Sequence, residues 1–387
     1  MKKKPTSKAN SKNIFLKILN ILAFVLTALT LLYYVLLVVV PYIHPSSVRI
    51  ISWIGLTMPF VVPLLFVWLF VWLIARKRIL WITMAVIILL SFPIWRRTIV
   101  VNLGGEVPSS EELAKGHQLK ILTYNVEMFQ HYEQTDQIIN LIEEGDYDIV
   151  CMQEYGHYSQ KKAQWNNMNQ RLDSIFPYRH IWFKNQSRYG ENGLVLYSHF
   201  PIINKVKVKY DSKYNVSVYS DILVGEDTIR LFNNHLESNK LTQYDRGVAE
   251  KIRDEKVYNE SLYFSFRTIL RKIADASIIR AMQVDSIANI ISKTSYPVII
   301  LGDFNDVPQS YSYNRLIGSK HFGASSSMAD AYAEAGDWLY YYTFNQDHLN
   351  VPIDHILYSP EFSVEECSIL PLEYSDHYPV SATLFLK

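Results

Sequence analysis

Polar side chains stand at the ends of six short, apolar, strand-like runs in the C-terminal part of this 387-residue chain. A strand end is a rigid place to mount a side chain, and ligands gather at the carboxyl ends of strands in α/β sheets. We therefore expect these carboxylate, amide and imidazole groups to converge in one cleft. The candidate residues are Asn125, Glu154, His235, Asp303, Asn305, Asp354, Asp376 and His377.

The chemistry that this set favours is a divalent metal site beside groups that transfer protons. Oxygen atoms of Asn, Asp and Glu are the ligands that Mg²⁺ and Mn²⁺ prefer. The remaining imidazoles and carboxylates suit acid–base catalysis and the stabilisation of charge on a phosphate. The chain has only two cysteines and no HExxH motif, which argues against a dedicated zinc site. It also has no GxxxxGK(S/T), GxGxxG or GxSxG motif, so neither a nucleotide-cradling loop nor a serine hydrolase is indicated.

The elements that must position these residues alternate between strand-like and helical patterns. Helical patterns lie at about 134–144, 164–175 and 245–293, and the strand-like runs are 119–124, 148–153, 193–198, 229–234, 297–301, 353–358 and 378–385. This alternation predicts either an α/β domain or two packed sheets flanked by helices, over residues 119–387. The polar stretch 98–118 is interpreted as a linker. The long charged segment 243–293 is expected to form a helical hairpin on the outside or, alternatively, a lid or membrane-proximal arm over the active site.

The N-terminal part of the chain has a different composition. Residues 1–100 contain 12 Lys and Arg and no acidic residue, which leaves 26 basic against 37 acidic residues and a net charge of −11 for 101–387. Three uncharged runs, 18–40, 50–75 and 79–95, are near the length of about 20 residues that spans a bilayer. We therefore predict a membrane anchor over residues 1–97 with about three transmembrane helices. One or two spans, or a cleaved signal peptide, are the alternatives.

Charge placement predicts the orientation of this anchor in a cell or inner membrane. Six lysines precede the first run and Arg76-Lys77-Arg78 follows the second, so both places are expected on the cytoplasmic side. Three spans would then deliver residue 98 onward to the non-cytoplasmic face. The spans contain no charged residue, which disfavours a transport path. The acidic body also disfavours a histone-like nucleic-acid coat.

The strand-end motifs occur in a recognisable order. The series Tyr124-Asn125-Val126, Gln153-Glu154, Asn234-His235-Leu236, Gly302-Asp303-Phe304-Asn305, Ile353-Asp354-His355-Ile356 and Ser375-Asp376-His377 resembles the endonuclease/exonuclease/phosphatase superfamily, which is DNase-I-like. The resemblance covers roughly residues 119–387 and excludes the N-terminal 118 residues. It implies a four-layer α/β sandwich, in which two packed β-sheets are flanked by helices.

The resemblance also implies a role for each site residue. Glu154 is the principal metal ligand, with Asn125 beside it and Asp376 near the metal or the attacking water. Asp303 orients or deprotonates that water, and Asn305 contacts the phosphate. His235 is a second phosphate contact or an acid. His377 stabilises the transition state, and Asp354 holds the other ring nitrogen of His377.

The activity implied is hydrolysis of phosphate esters with Mg²⁺ or Mn²⁺ by an enzyme anchored in a lipid bilayer. Nucleic acid and a phospholipid headgroup both remain open as substrates. The alternative is a non-catalytic phosphate-ligand binding or sensing domain on a membrane stalk. Three departures from the family pattern bear on substrate choice. Glu127 adds a carboxylate near the metal motif, and Val351-Pro352 stands where an arginine is expected in close relatives. Segment 243–293 is longer than the connection that many family members have between the His and the GDFN strand.

Overall fold

The structure is a computed structural model of the chain, and it describes residues 7–101, 116–130, 132–213, 215–242, 244–245, 247, 260–318, 328–337, 339–346 and 349–387. Most of the predicted linker, residues 102–115, lies outside the described residues. At its two ends, Ile99–Val100 forms a short strand and His117 begins a long one.

The first sheet contains six strands. They are β2 (His117–Asn125), β3 (Ile149–Tyr158), β4 (Tyr178–Ser187), β5 (Gly190–Ser198), β15 (Phe362–Ile369) and β16 (Val380–Leu386). Their order across the sheet is β15-β16-β2-β3-β5-β4. The β2–β3 pair is parallel and the other neighbours are antiparallel.

The second sheet repeats this plan. Its strands are β6 (Ile202–Lys207), β7 (Val216–Val224), β8 (Asp227–His235), β9 (Val298–Asp303), β10 (Ala329–Asp330) and β14 (Asp354–Tyr358). The order is β10-β14-β9-β8-β7-β6, with β8 and β9 as the parallel pair. Two short pairs lie outside the sheets, β1 (Ile99–Val100) with β11 (Leu339–Tyr340) and β12 (Phe344–Gln346) with β13 (Leu349–Val351).

The two sheets pack face to face, and helices cover their outer faces. The central strands are apolar on both faces because each face is buried; Ile121, Leu196 and Leu231 are among the residues of the core between the sheets. Helices α6 (Thr135–Glu144) and α7 (Lys162–Ile175) cover the first sheet, and α8 (Glu260–Ile291) and α9 (Tyr311–Ile317) cover the second. A short helix, α10 (Ala331–Ala335), follows β10, and single 3₁₀ turns form at Glu127–Phe129, Tyr132–Gln134 and Ser159–Lys161. The predicted four-layer sandwich is confirmed.

Four long strands were not among the predicted runs, namely β4, β6, β7 and β15. In β4 and β6 most residues are partly or fully exposed, so neither carries the continuous apolar run of a central strand. Strand β7 is buried but carries Asp221, which pairs with Arg230 at 2.7 Å. In segment 243–293, residues 260–291 form one continuous helix, and residues 244–245 and 247 are also helical. Residues 243, 246 and 248–259 lie outside the described residues, so the helical hairpin stays a prediction.

The N-terminal segment forms α1 (Ser7–Val39), α2 (Ile51–Ile54), α3 (Met58–Ile74), α4 (Arg78–Leu90) and α5 (Phe92–Trp95), with 3₁₀ turns at Val40–Tyr42 and Gly55–Thr57. Among the described residues, two helical stretches are long and apolar enough to cross a membrane, Ile14–Tyr42 and Ile51–Ile74. Helix α4 has 13 residues. At about 1.5 Å per residue it extends about 20 Å, which is less than the bilayer core of about 30 Å. The third predicted span is therefore shorter in the structure than in the prediction.

One end of this helical segment packs against the sandwich. The Leu37 carbonyl accepts a hydrogen bond from Gln309 Nε2 at 2.7 Å, and Arg49 forms an ion pair with Asp275 at 3.1 Å. Arg96, which follows α5, donates to the Ala333 carbonyl at 3.0 Å. The end of α1, the start of α3 and the end of α5 thus all lie on the sandwich side. Helix α3 has 17 residues, so Arg76-Lys77-Arg78 lies about 25 Å away, at the other end.

Gly55 makes the closest approach in this contact, and it yields a prediction. A Cβ atom at Gly55 would lie 2.2 Å from the Gln309 carbonyl oxygen, so Gly55→Ala must displace backbone. Forced overpacking of this kind costs about 1–3 kcal/mol. We expect the full-length variant, purified in detergent, to melt a few degrees below the wild type. The control is Gly318→Ala, whose Cβ would lie 3.5 Å from the nearest carbonyl oxygen. Equal melting of both variants would contradict the described contact.

Candidate active site

The parallel strand pairs of the two sheets end side by side, and the polar motifs meet there. Asn125 ends β2 opposite Gln153 of β3, and His235 ends β8 opposite Asp303 of β9. Asp354 begins β14 opposite Asp303 from the other side. The structure joins all eight predicted residues by hydrogen bonds or charge contacts of 4.0 Å or less.

A buried polar bridge holds the two sheets together at the base of this site. Gln153 Nε2 donates to Asn233 Oδ1 at 2.7 Å, and Asn233 Nδ2 donates to the Val195 carbonyl at 2.8 Å. Both side chains are fully buried. Because a buried amide that loses its partner is costly, this pairing fixes the spacing between the sheets. Neither amide was predicted as a site residue, although Gln153 lies within a quoted motif.

Asp303 lies at the centre of the contacts. Its carboxylate accepts hydrogen bonds from Asn125 Nδ2 at 3.1 Å and from the Asn305 backbone at 2.8 Å. The nitrogens His235 Nε2 and His377 Nε2 lie 3.6 Å and 3.8 Å from Asp303 Oδ2. Burial raises the pKa of Asp303 to about 6, although the neighbouring imidazoles oppose the rise. An aspartate with this pKa is mostly ionised at neutral pH and is a stronger base than usual.

His377 is held by a buried carboxylate. Its Nδ1 donates to Asp354 Oδ2 at 2.8 Å, and this leaves Nε2 directed toward Asp303 and Asp376. Burial lowers the pKa of His377, but the Asp354 and Asp303 carboxylates outweigh burial and raise it well above its ordinary value. The ring is therefore protonated at neutral pH. The Phe344 ring packs edge-on against His377 at 5.1 Å between centroids and further fixes its plane.

Glu154 and Asp376 face each other across the site. Glu154 occupies a β-bulge between Gln153 and Tyr155 with φ of +51°, and it lines the cavity at the site. Bulges commonly re-aim a side chain beside an active site. Asp376 is placed by its neighbour Ser375, whose Oγ donates to the Asn125 carbonyl at 2.8 Å. Burial, followed by the Asp376 charge, raises the pKa of Glu154.

This donor set fits a hard divalent cation. A cation between Glu154 and Asp376 would remove the repulsion that raises the Glu154 pKa. Asn125 Oδ1 accepts one hydrogen bond, from the Glu127 backbone N–H at 3.1 Å. An amide oxygen has two lone pairs, so the second can bind a cation. Asp303, Asp354 and His377 also offer ligand atoms within 4.8 Å of one another. In that second group, His377 Nδ1 already carries a proton that it donates to Asp354, so this nitrogen is not available to a cation.

His235 and Asn305 complete the rim of the site. Burial lowers the pKa of His235, so its ring is neutral at pH 7, and its Nε2 lies 3.7 Å from Glu154 Oε1. Asn305 has φ of +52° and donates from Nδ2 to the Leu236 carbonyl and to Asp303, both at 3.1 Å. This left-handed backbone conformation turns the Asn305 amide back over the strand end.

The site opens into a cavity of about 290 Å³. Several of its lining residues were not predicted from the sequence: Ser52, Leu56, Leu241, Ile269, Ile273 and Arg280. Arg280 of α8 is buried, and it pairs with Asp306 at 3.1 Å and donates to the Glu237 carbonyl at 2.7 Å. These contacts hold the loop after β8 beside the site. No local sequence signal distinguishes Arg280, because the polar residues Ser277 and Gln283 lie beside it on the same buried helix face.

Two family models match the chain. The model described as the Endonuclease/Exonuclease/phosphatase family matches residues 122–377. A second, described as a domain of unknown function (DUF8431), matches residues 17–98. No curated protein matches the chain.

The solved structures that match this chain have low sequence identity to it. An endonuclease/exonuclease/phosphatase family protein from Bacteroides thetaiotaomicron is 16% identical, with a TM-score of 0.48 over 70% of this chain and 96% of that one. The corresponding protein from Bacteroides vulgatus is 18% identical, with a TM-score of 0.47 over 70% and 100%. Truncated Caenorhabditis elegans TDP2 is 17% identical, with a TM-score of 0.43 over 69% and 97%.

Proposed function

The chain belongs to the endonuclease/exonuclease/phosphatase family, and from that premise we propose that it is a membrane-anchored, divalent-metal-dependent hydrolase of phosphate esters. The observation that carries this proposal is the placement of the Asp354–His377 pair and Asp303 opposite Glu154 and Asp376 at one cavity. Residues 1–97 are the anchor, 98–118 the linker and 119–387 the catalytic domain.

The proposed metal ligands are Glu154, Asp376 and Asn125, and the ion is Mg²⁺ or Mn²⁺. When bound, the ion neutralises charge on a phosphoryl oxygen and lowers the pKa of a water molecule. The support for this assignment is the all-oxygen donor set and the raised pKa of Glu154 beside Asp376.

The other catalytic roles are assigned to protein groups around the phosphate. Asp303 orients the attacking water and accepts its proton, because its pKa near 6 makes it a competent base. His377 donates from Nε2 to a phosphoryl oxygen and stabilises the charge that develops there. Asp354 keeps the His377 ring charged and correctly oriented. Asn305 and neutral His235 contact the phosphate.

We propose that the catalytic domain lies on the non-cytoplasmic face. Two positions in the helical segment support this orientation. Arg76-Lys77-Arg78 lies at the end remote from the sandwich, and basic residues favour the cytoplasmic side. The six N-terminal lysines lie before α1 or in its first 11 residues, and the far end of α1 contacts Gln309 of the sandwich.

The test is hydrolysis of bis(4-nitrophenyl) phosphate by the full-length protein in detergent. We expect turnover with Mg²⁺ or Mn²⁺ that EDTA abolishes and added metal restores. Glu154→Gln should need at least about tenfold more metal for half-maximal rate, because it removes a charged ligand. The matched control is Glu144→Gln, an exposed position on α6.

The binding-domain alternative gives a different result in the same assay. It would show metal-dependent binding of phosphate without turnover of the diester by the wild type. Activity that is indifferent to EDTA would contradict the metal assignment. Activity of Glu154→Gln at wild-type metal concentrations would contradict the choice of ligand.

A further inference from the structure

The cavity at the site is lined by two chemically different groups of side chains, besides other polar residues. The first group consists of Glu154, Asp303, Asp376 and His377. The second group, which we call the apolar wall, consists of the aliphatic side chains Leu56, Leu241, Ile269, Ile273 and Val307. A substrate that fills this space must place a phosphate beside an apolar group, because burying aliphatic surface is favourable at about 25 cal/mol per Å².

Part of the apolar wall comes from the anchor. Ser52 and Leu56 line the cavity, and both belong to the candidate membrane span Ile51–Ile74. The contacts of Gly55 and Leu37 with Gln309 hold this part of the chain against the sandwich. In the proposed membrane setting, the site therefore opens at the end of this candidate span, at the depth where lipid headgroups lie.

Helix α8 extends the same wall. Ile269 and Ile273 are four residues apart and share one face of the helix, and both line the cavity. Phe266 lies three residues before Ile269 on that face and is 47% exposed. Exposed apolar residues beside a binding site mark a surface that a partner or ligand covers.

The charges around the cavity do not favour a long polyanion. Among the described residues that line the cavity, Arg280 is the only lysine or arginine, and its partners Asp306 and the Glu237 carbonyl already satisfy it. The part of the chain from residue 101 onward has a net charge of −11. Binding of a nucleic-acid strand normally relies on several phosphate contacts from Lys and Arg.

We propose that the substrate is a phosphoester lipid of the membrane in which the protein is anchored, taken up sideways with its headgroup at Glu154 and His377 and its first acyl carbons against Leu56 and Ile269. This inference rests on the proposed function. In the reaction a water oxygen bonds to phosphorus and one ester P–O bond breaks. The proton of the water passes to Asp303. The departing alkoxide takes a proton from solvent and Asp303 releases its proton to solvent, so that a diester lipid gives a monoester and an alcohol.

The test uses the full-length protein in vesicles of phosphatidylglycerol and phosphatidylethanolamine, with Mg²⁺, and follows lipid phosphorus by ³¹P NMR. The double variant Leu56→Asn/Ile269→Asn places polar groups on the wall at two positions that are not fully buried. We expect its rate on vesicle lipid to fall about tenfold or more. Because both positions line the cavity, the rate on bis(4-nitrophenyl) phosphate and the melting temperature are measured beside it, and we expect the loss on vesicle lipid to exceed the loss on this small diester. The control is Ile203→Asn, a 57% exposed position on β6 away from the cavity.

The outcomes separate the two proposals. If the wild type cleaves bis(4-nitrophenyl) phosphate and single-stranded DNA but no vesicle lipid, the lipid assignment is wrong and the hydrolase proposal stands. If the lipid is cleaved and the double variant cleaves it at the wild-type rate, the apolar wall has been misassigned. If the wild type cleaves no substrate with Mg²⁺ or Mn²⁺, the hydrolase proposal fails, and the lipid inference fails with it.

Discussion

Asp303→Asn should lower kcat/KM for bis(4-nitrophenyl) phosphate by about 10²–10⁴-fold, the range that general-base catalysis supplies. The amide cannot accept the proton of the attacking water. It also presents an NH₂ group where Asp303 Oδ2 now accepts from both Asn125 and Asn305 at 3.1 Å. The measurement is steady-state hydrolysis by the full-length protein with saturating Mg²⁺, together with the melting temperature of each variant.

The control for this change is Asp227→Asn, at the exposed start of β8. It makes the same chemical substitution at the end of the sheet remote from the site, and we expect wild-type rates. If Asp303→Asn folds like the wild type and keeps more than a tenth of its activity, Asp303 is not the base.

His377→Gln should lower kcat by about 10²–10³-fold, because removal of one hydrogen-bond donor to developing negative charge lowers kcat by this factor. Asp354→Asn should cause a comparable loss, because the Asp354 carboxylate sets the charge and orientation of the ring through its 2.8 Å contact. The double variant should be no slower than the worse single variant, because the two residues act as a unit. Kinetics of the three variants on one substrate provide the measurement.

If the double variant loses as much activation free energy as the two single variants together, His377 and Asp354 do not act as a unit. His117→Gln serves as the histidine control, since His117 is an exposed residue at the start of β2. A loss in that variant as well would indicate a general effect on folding and would remove the inference for His377.

Residues at the ends of apolar runs were the part of the site that the sequence could predict. Asn125, His235 and Asp303 each end a strand whose burial on both faces leaves a strong local pattern. Parallel pairing then brings these ends to one edge without any further information. The roles of the residues remain predictions, whereas their proximity follows from the register of β2, β3, β8 and β9.

The cavity wall could not be predicted in this way. Leu56 is one of several leucines in an apolar run, and nothing local distinguishes it from the others. Its place in the cavity depends on Gln309, more than 250 residues later in the chain, which contacts both Gly55 and Leu37. A contact of this sequence separation leaves no periodic signal. The burial of Arg280 likewise depends on partners from two other segments of the chain, Asp306 and the Glu237 carbonyl.

At Val351-Pro352 the sequence departs from the family pattern, and the structure shows what surface lies there instead. The sequence indicated only that an arginine was missing there. In the structure Val351 lines the cavity beside Ile353 and Phe344, so an apolar surface occupies this place. This is consistent with a substrate whose neighbouring group is uncharged.

The fixed contact between Gln309 and the anchor also constrains how the rate should depend on concentration. In the proposed membrane setting, protein and substrate diffuse in one two-dimensional sheet, and the cavity stays at one depth and in one leaflet. Turnover then follows the mole fraction of substrate in that leaflet. Dilution of the vesicles with buffer leaves the rate per enzyme unchanged, whereas dilution of the substrate with an inert lipid lowers it. Lipid in neighbouring vesicles, however abundant, stays intact.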